Sequence, residues 1–235
     1  MIVLAKEIWD FALHREIMIT AEYLPGILNV KADQASRFFQ DSSEWLLSPK
    51  IFRQISHKLG YPSIDLFASR ACHQIQSYMS WKPDPQSLAV DVFQQNWQTR
   101  GLTYAFPPFS LIGKVVRKVR MEKATSILIT PHWPAQSWYN QILEICIRNP
   151  LLLTSQEDLL LNPQGEIHPL VENKTLNLMA WTISGKDYLQ KAYQQKLQTL
   201  SSKPDEEALH LIMNRPGVNG FAGVLANRLI PMDVL

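Results

Sequence analysis

The chain has 235 residues, of which 46% are hydrophobic and 19% charged, with a formal net charge of +2. That length holds one large domain or two small ones, and the composition is too apolar for a disordered polymer. Charge alone names no partner, so any case for nucleic acid rests on local basic stretches.

The first elements run from a helix over Val3 to Arg15, with Leu4, Ile8, Phe11 and Ala12 at helical spacing, into a strand over Ile17 to Tyr23. Pro25-Gly26 ends that strand in a turn. A chain that opens in mid-helix reads as cut from something longer. Ser48-Pro49 starts a second helix that buries Phe52, Ile55 and Leu59 and stops at Gly60. Ile64 to Ala68 is a short apolar strand, and Tyr104 to Phe106 is another that runs into Pro107-Pro108. Ser110 is placed to cap a helix through about Lys123, with Leu111, Val115 and Val119 facing inward. Ile127 to Ile129 is a third strand, Gln136 to Arg148 a helix, and Leu151 to Leu153 or Leu176 to Ile183 read as later strands. Lys186 to Lys203 reads as a last helix, striped by Leu189, Tyr193, Leu197 and Leu200, and residues 204–235 are weakly patterned.

Buried strands alternating with amphipathic helices predict an α/β protein with a mostly parallel, Rossmann-like sheet covered on both faces. Such sheets bind ligands where loops leave the carboxyl ends of the strands, which here means Asp65 to Ser69 and Phe106 to Ser110. Cys72 and Cys146 are far apart and have no CxxC spacing, so they read as buried thiols of an intracellular protein. The segment from Met1 to Glu7 has no basic n-region, and no apolar run approaches the roughly 18 to 20 residues of a membrane helix, so no membrane partner is expected.

Two constellations carry chemistry. The first runs from Glu22 to Arg37: a strand, a Pro-Gly turn, then Asp33 near a helix start. Spacing alone favours Asp33 as a helix cap. Leu24, Pro25, Gly26, Asn29, Ala32, Asp33, Ser36 and Arg37 nevertheless closely resemble the end of the RNase H domain of retroelement polymerases. That resemblance covers about residues 1–40 and implies that Asp33 is the last catalytic carboxylate. A complete RNase H domain holds two Mg²⁺ roughly 4 Å apart and cleaves the RNA of an RNA–DNA hybrid. One carboxylate cannot build that site, so the segment alone is expected to be inactive.

The second constellation comprises Asp65-Leu66-Phe67-Ala68-Ser69-Arg70, Trp81, Asp91 to Trp97, Tyr104 to Phe109 and Pro131 to Tyr139. Following an RNase H tail, this order resembles DIRS-like and Ngaro-like retroelement polyproteins, which place a Dam-like adenine methyltransferase-like domain there. The resemblance implies such a domain over about 44–185, with 186–235 as a helix and linker. Adenine methylases carry Asp-Pro-Pro-Tyr or Asn-Pro-Pro-Tyr, whose acceptors hold the target amino group while the aromatic ring stacks on the flipped base. The corresponding residues here are Phe106, Pro107, Pro108 and Phe109. Phe109 can stack, but Phe106 offers no acceptor, a loss of roughly 10²- to 10³-fold or more in rate. Asp65 and Phe67 stand where the family meets S-adenosylmethionine, with no Gly-rich loop after them.

Lys114, Arg117, Lys118, Arg120 and Lys123 give one helix a basic face, with Lys114, Arg117 and Lys118 as candidate phosphate contacts. Trp133, Trp138 and Tyr139 could stack bases or pack in the core. The six histidines have no metal-ligand spacing. The expectation is therefore a retroelement reverse transcriptase/RNase H fragment with a degenerate methyltransferase-like domain. An active S-adenosylmethionine-dependent DNA methyltransferase and a non-catalytic nucleic-acid-binding module stand as alternatives.

Overall fold

The computed structural model describes residues 9–15, 17–18, 45–153, 158–199 and 220–235. The chain divides into two compact units, Met1–Gln40 and Asp41–Leu235. In the first unit residues 9–13 are helical, within the helix expected there. The RNase H-like run around Asp33 and most of the strand expected before it lie outside the described residues.

The second unit is a mixed α/β body. Its strands are β1 (Leu46–Leu47), β2 (Ile64–Asp65), β3 (Met79–Ser80), β4 (Ala89–Val90), β5 (Leu102–Ala105), β6 (Thr125–Pro131), β7 (Leu151–Leu153), β8 (Leu160–Leu161), β9 (Leu178–Ser184), β10 (Phe221–Leu225), β11 (Arg228–Pro231) and β12 (Asp233–Val234). Its helices are α1 (Pro49–Leu59), α2 (Ile112–Met121), α3 (Ser137–Ile145), α4 (Pro169–Glu172) and α5 (Asp187–Gln194). Six strands form one sheet in the order β12-β7-β9-β6-β5-β2. The neighbours β2, β5 and β6 run parallel, as do β7 and β12, while β9 is antiparallel to both β6 and β7. A parallel bridge from Asp65 to Tyr78 joins the parallel pair β3–β4 to the free side of β2.

The sheet is therefore mixed, where a mostly parallel one was expected. Its longest pairing is the antiparallel one, with seven residues of β6 opposite seven of β9. Periodicity could not reveal this, because a strand buried on both faces reads as the same apolar run in either direction. Alternate residues of β6 and β9 feed two cores. Leu128, Met179, Trp181 and Ile183 join the apolar faces of α2 and α3 on one side. Ile127, Ile129, Leu178 and Ala180 join α1 and Leu47 on the other.

Most elements fall where the pattern put them, and the differences have local causes. The helix α1 starts at Pro49 and ends at Gly60, which has φ +112°, but the Ser48 side chain makes no cap bond. The strand expected over Ile64 to Ala68, β2, ends at Asp65, since the Asp65 carboxylate draws the Phe67 N–H into a turn at 3.2 Å. Ser110 does not cap α2, because the chain leaves Pro107-Pro108 through a 3₁₀ turn over Phe109–Leu111. The helix expected over 186–203 ends at Gln194. There the chain is taken up by the β10–β11 hairpin, with the Leu229 N–H donating to the Gln198 carbonyl at 3.0 Å. Residues 221–235, expected to be linker, form that hairpin and the edge strand β12. Among the described residues, no helix is long and apolar enough to cross a membrane.

Candidate functional site

A cavity of about 720 Å³ opens at the carboxyl ends of β2 and β5. Both loops that the sequence pointed to contribute to its wall: Leu66, Phe67 and Ala68 after β2, and Phe106, Pro107, Pro108 and Phe109 after β5. Parallel neighbours end on the same edge of a sheet, so two motifs forty residues apart in sequence meet there. The walls are aromatic. The Phe67 ring meets Phe93 edge-on at 5.7 Å between centroids and Trp97 at 6.4 Å, while Phe109 meets Phe106 at 6.5 Å and Trp133 at 5.3 Å. Such tilted and edge-on contacts fix the rings in place and leave faces available for a planar ligand.

Asp65 is not part of the wall. Its carboxylate is buried beneath the loop and accepts the backbone N–H groups of Phe67 at 3.2 Å and Gln74 at 3.0 Å. Burial pushes its pKa up to about 7, against the lowering effect of those two hydrogen bonds. The nearby Tyr104 hydroxyl is buried with no partner among the described residues, and burial followed by the Asp65 charge holds its pKa well above the usual value. Asp65 thus pins the 66–74 loop that carries Phe67, and is not among the residues that line the cavity.

Two polar cavity groups come from elsewhere. Asp91 follows β4 with φ +53°, and its carboxylate accepts from the Phe93 N–H at 3.1 Å and the Gln94 amide at 3.0 Å. His168 opens α4, where its Nδ1 accepts the Leu170 N–H at 3.1 Å. Burial lowers its pKa, which favours the neutral ring. His168 and its neighbour Trp45, 4.4 Å away edge-on, were not found from the sequence. They flank the β1–β8 pair: Trp45 precedes β1, and the His168 N–H donates to the Leu160 carbonyl of β8 at 3.1 Å. The only local sign was His-Pro at a helix start, a weak one.

No protein-family model matches the chain, and a search of curated proteins returns no relative. The fit of S-adenosylmethionine is therefore judged on this cavity alone. The rings suit an adenine, but the amino-acid head of the cofactor finds little. The N–H groups of Leu66, Phe67 and Ala68 already donate to Tyr104 O, Asp65 Oδ1 and Met79 O. Among the described lining residues none is Lys or Arg. The residues present do not fit that cofactor as a whole.

The basic face of α2 is largely neutralised. Lys118 pairs with Glu122, Arg120 with Glu144 at 2.6 Å, and Lys123 with Asp187 at 3.0 Å. Lys114 lies 3.9 Å over the Phe93 ring, beside the cavity, and Arg117 is exposed. Of the three phosphate candidates only Lys114 and Arg117 lack a carboxylate partner among the described residues. Trp138 and Tyr139 are core residues, while Trp133 stays partly exposed against Phe109. Among the described residues no cluster of His, Cys, Asp or Glu could hold a metal.

Cys72 lines the cavity and is half-buried, whereas Cys146 is fully buried, donates to the Arg148 carbonyl at 2.8 Å and has its thiol pushed up to about 12 by burial. Iodoacetamide applied to the native protein should therefore alkylate Cys72 at least ten-fold faster than Cys146. Equal rates in peptide mass analysis would mean that the cavity is closed or that the core opens.

Proposed function

We propose that this chain is a piece of a DIRS-like retroelement polyprotein, in which the end of an RNase H domain precedes a methyltransferase-like domain that receives nucleic-acid bases without methylating them. The observation that carries the reading is Phe106. It sits in the cavity wall at the carboxyl end of β5, where the resemblance calls for an Asp or Asn, and its side chain accepts no hydrogen bond. Phe109, two prolines further on, keeps a ring for stacking. A Rossmann-like, methyltransferase-like assignment is supported by the parallel run β4-β3-β2-β5-β6 and by β9, the antiparallel strand between β6 and β7. The RNase H part rests on the residues Leu24 to Arg37, and Asp33 would bind Mg²⁺ only with the remaining carboxylates of a complete domain.

Two measurements test the proposal. Incubation with labelled S-adenosylmethionine and adenine-containing DNA should give no transfer above blank, and clear transfer would replace this reading with an active methylase. Single-stranded DNA should bind in a salt-dependent way, since phosphate contacts release counterions. Phe109→Ala should weaken that binding by about 5- to 100-fold, the worth of one base stacked on one ring. Absence of any single-strand binding at low salt would remove the nucleic-acid role.

A further inference from the structure

His168 is a cavity residue whose tautomer the geometry decides. Its Nδ1 accepts the Leu170 N–H, so in the neutral ring the proton sits on Nε2. The Nδ1 edge is committed to the start of α4, Trp45 meets the ring edge-on, and His168 is among the residues that line the cavity. Among the described residues nothing accepts from Nε2. The other charged group in the wall, Asp91, already accepts two hydrogen bonds, and no lysine or arginine lines the cavity among the described residues. The cavity therefore offers aromatic faces, an imidazole donor on His168 and no lysine or arginine countercharge for an anion among the described lining residues.

We propose that His168 is a specificity-determining binding residue, whose Nε2–H donates to a carbonyl or ring-nitrogen acceptor on an uncharged planar heterocycle of the nucleobase class. The ligand stacks against the rings after β2 and β5, and any phosphate it carries stays outside, on the side where Lys114 lies. The proposal rests on the reading of the cavity as a base-receiving site and adds what reads the base. An acceptor-bearing edge is favoured because a ligand without an acceptor would cover the His168 donor and leave it unpaired, a cost that discriminates more strongly than lost apolar contact.

The probes are adenosine, cytidine, guanosine and uridine, added singly to the whole chain. Long-range ¹⁵N spectra of the imidazole should show the Nε2–H tautomer for His168. At least one nucleoside should shift that nitrogen and slow alkylation of Cys72. His168→Asn keeps a side-chain acceptor for the Leu170 N–H but loses the long reach of Nε2, and should lower the affinity for that nucleoside at least ten-fold with an unchanged melting temperature. If the variant melts early, the wild-type nitrogen shift and Cys72 protection decide alone. An Nδ1–H tautomer, no response to any of the four at millimolar concentration, or unchanged affinity in a stably folded variant would each overturn the inference. Single-stranded DNA binding that persists in those cases leaves the functional reading standing. Loss of that binding while nucleosides still engage His168 brings down the functional reading alone.

Discussion

Replacing Asp65 is expected to change both the stability of the second unit and its dependence on pH. Asp65→Ala leaves the half-buried N–H groups of Phe67 and Gln74 without their acceptor, at a cost of about 1 kcal/mol for each. Relief of the buried carboxylate offsets part of that above neutral pH. The folded carboxyl has a pKa of about 7 against an ordinary value of 3.8, so between those values the folded state binds more protons than the unfolded. Stability from this group is fully present below pH 3.8 and is lost as pH rises through about 7. Over that window the change is on the order of 4 kcal/mol. Asp65→Asn keeps one acceptor and has no proton to lose, so its stability should lack this slope. The difference in denaturant stability between wild type and Asp65→Asn should therefore fall steadily from pH 4 to pH 8. A flat difference would show that water reaches the carboxylate and that the 66–74 loop is looser than described. The comparison with the variant is needed because His132 and His168, both with lowered pKa, favour the folded state more as pH rises.

Gly185→Ala is expected to be the most damaging single methyl in the second unit. Gly185 lies between β9 and α5, with its N–H donating to the Ala124 carbonyl at 2.9 Å. An added Cβ would collide with the Val119 carbonyl and come within 2.9 Å of both the Arg120 carbonyl and the Lys123 Cα, all of them backbone atoms. Lys123 already holds φ +53° to close the end of α2, so the turn cannot yield without losing the junction between α2 and β6. Overpacking against backbone costs about 3 kcal/mol or more, which lowers the melting temperature by roughly 10 °C in a unit of this size. Gly113→Ala is the matched control. Its Cβ would meet only the Trp138 Cβ at 3.9 Å, an ordinary contact, and inside α2 alanine is favoured over glycine by about 1 kcal/mol. The two substitutions should move the melting temperature in opposite directions. A shift of the same sign in both would contradict the packing described for the α2 end.

The cavity shows how far local sequence carries a functional argument. Phe67 and Phe106 to Phe109 were legible because a buried apolar strand followed by Pro-Pro announces both the strand and the place where it ends. Asp65 was legible as a residue of interest but not in its role. The same carboxylate could have faced a ligand or its own loop, and only the two N–H groups converging on it decide for the loop. Trp45 had no local signal and His168 only the weak one of a His-Pro helix start, since they reach the cavity through the β1–β8 pairing between residues more than a hundred positions apart. The basic face of α2 was read correctly as a set of residues, yet Glu144 and Asp187 come from other helices and take up Arg120 and Lys123.

The sequence by itself determined the α/β class, the positions of α1, α2, α3 and α5 and of the central strands of the six-stranded sheet, and the strand ends at which the cavity opens. Each of these follows from period, caps and prolines within a window of a few residues. The tertiary structure decided the direction of β9, the recruitment of residues 221–235 into a hairpin and an edge strand, the donor state of His168 and which cations are spent on carboxylates. Those depend on contacts between segments far apart in the chain, whose energies no local pattern encodes, because a buried apolar strand or a charged helix face is compatible with several partners until the fold supplies one.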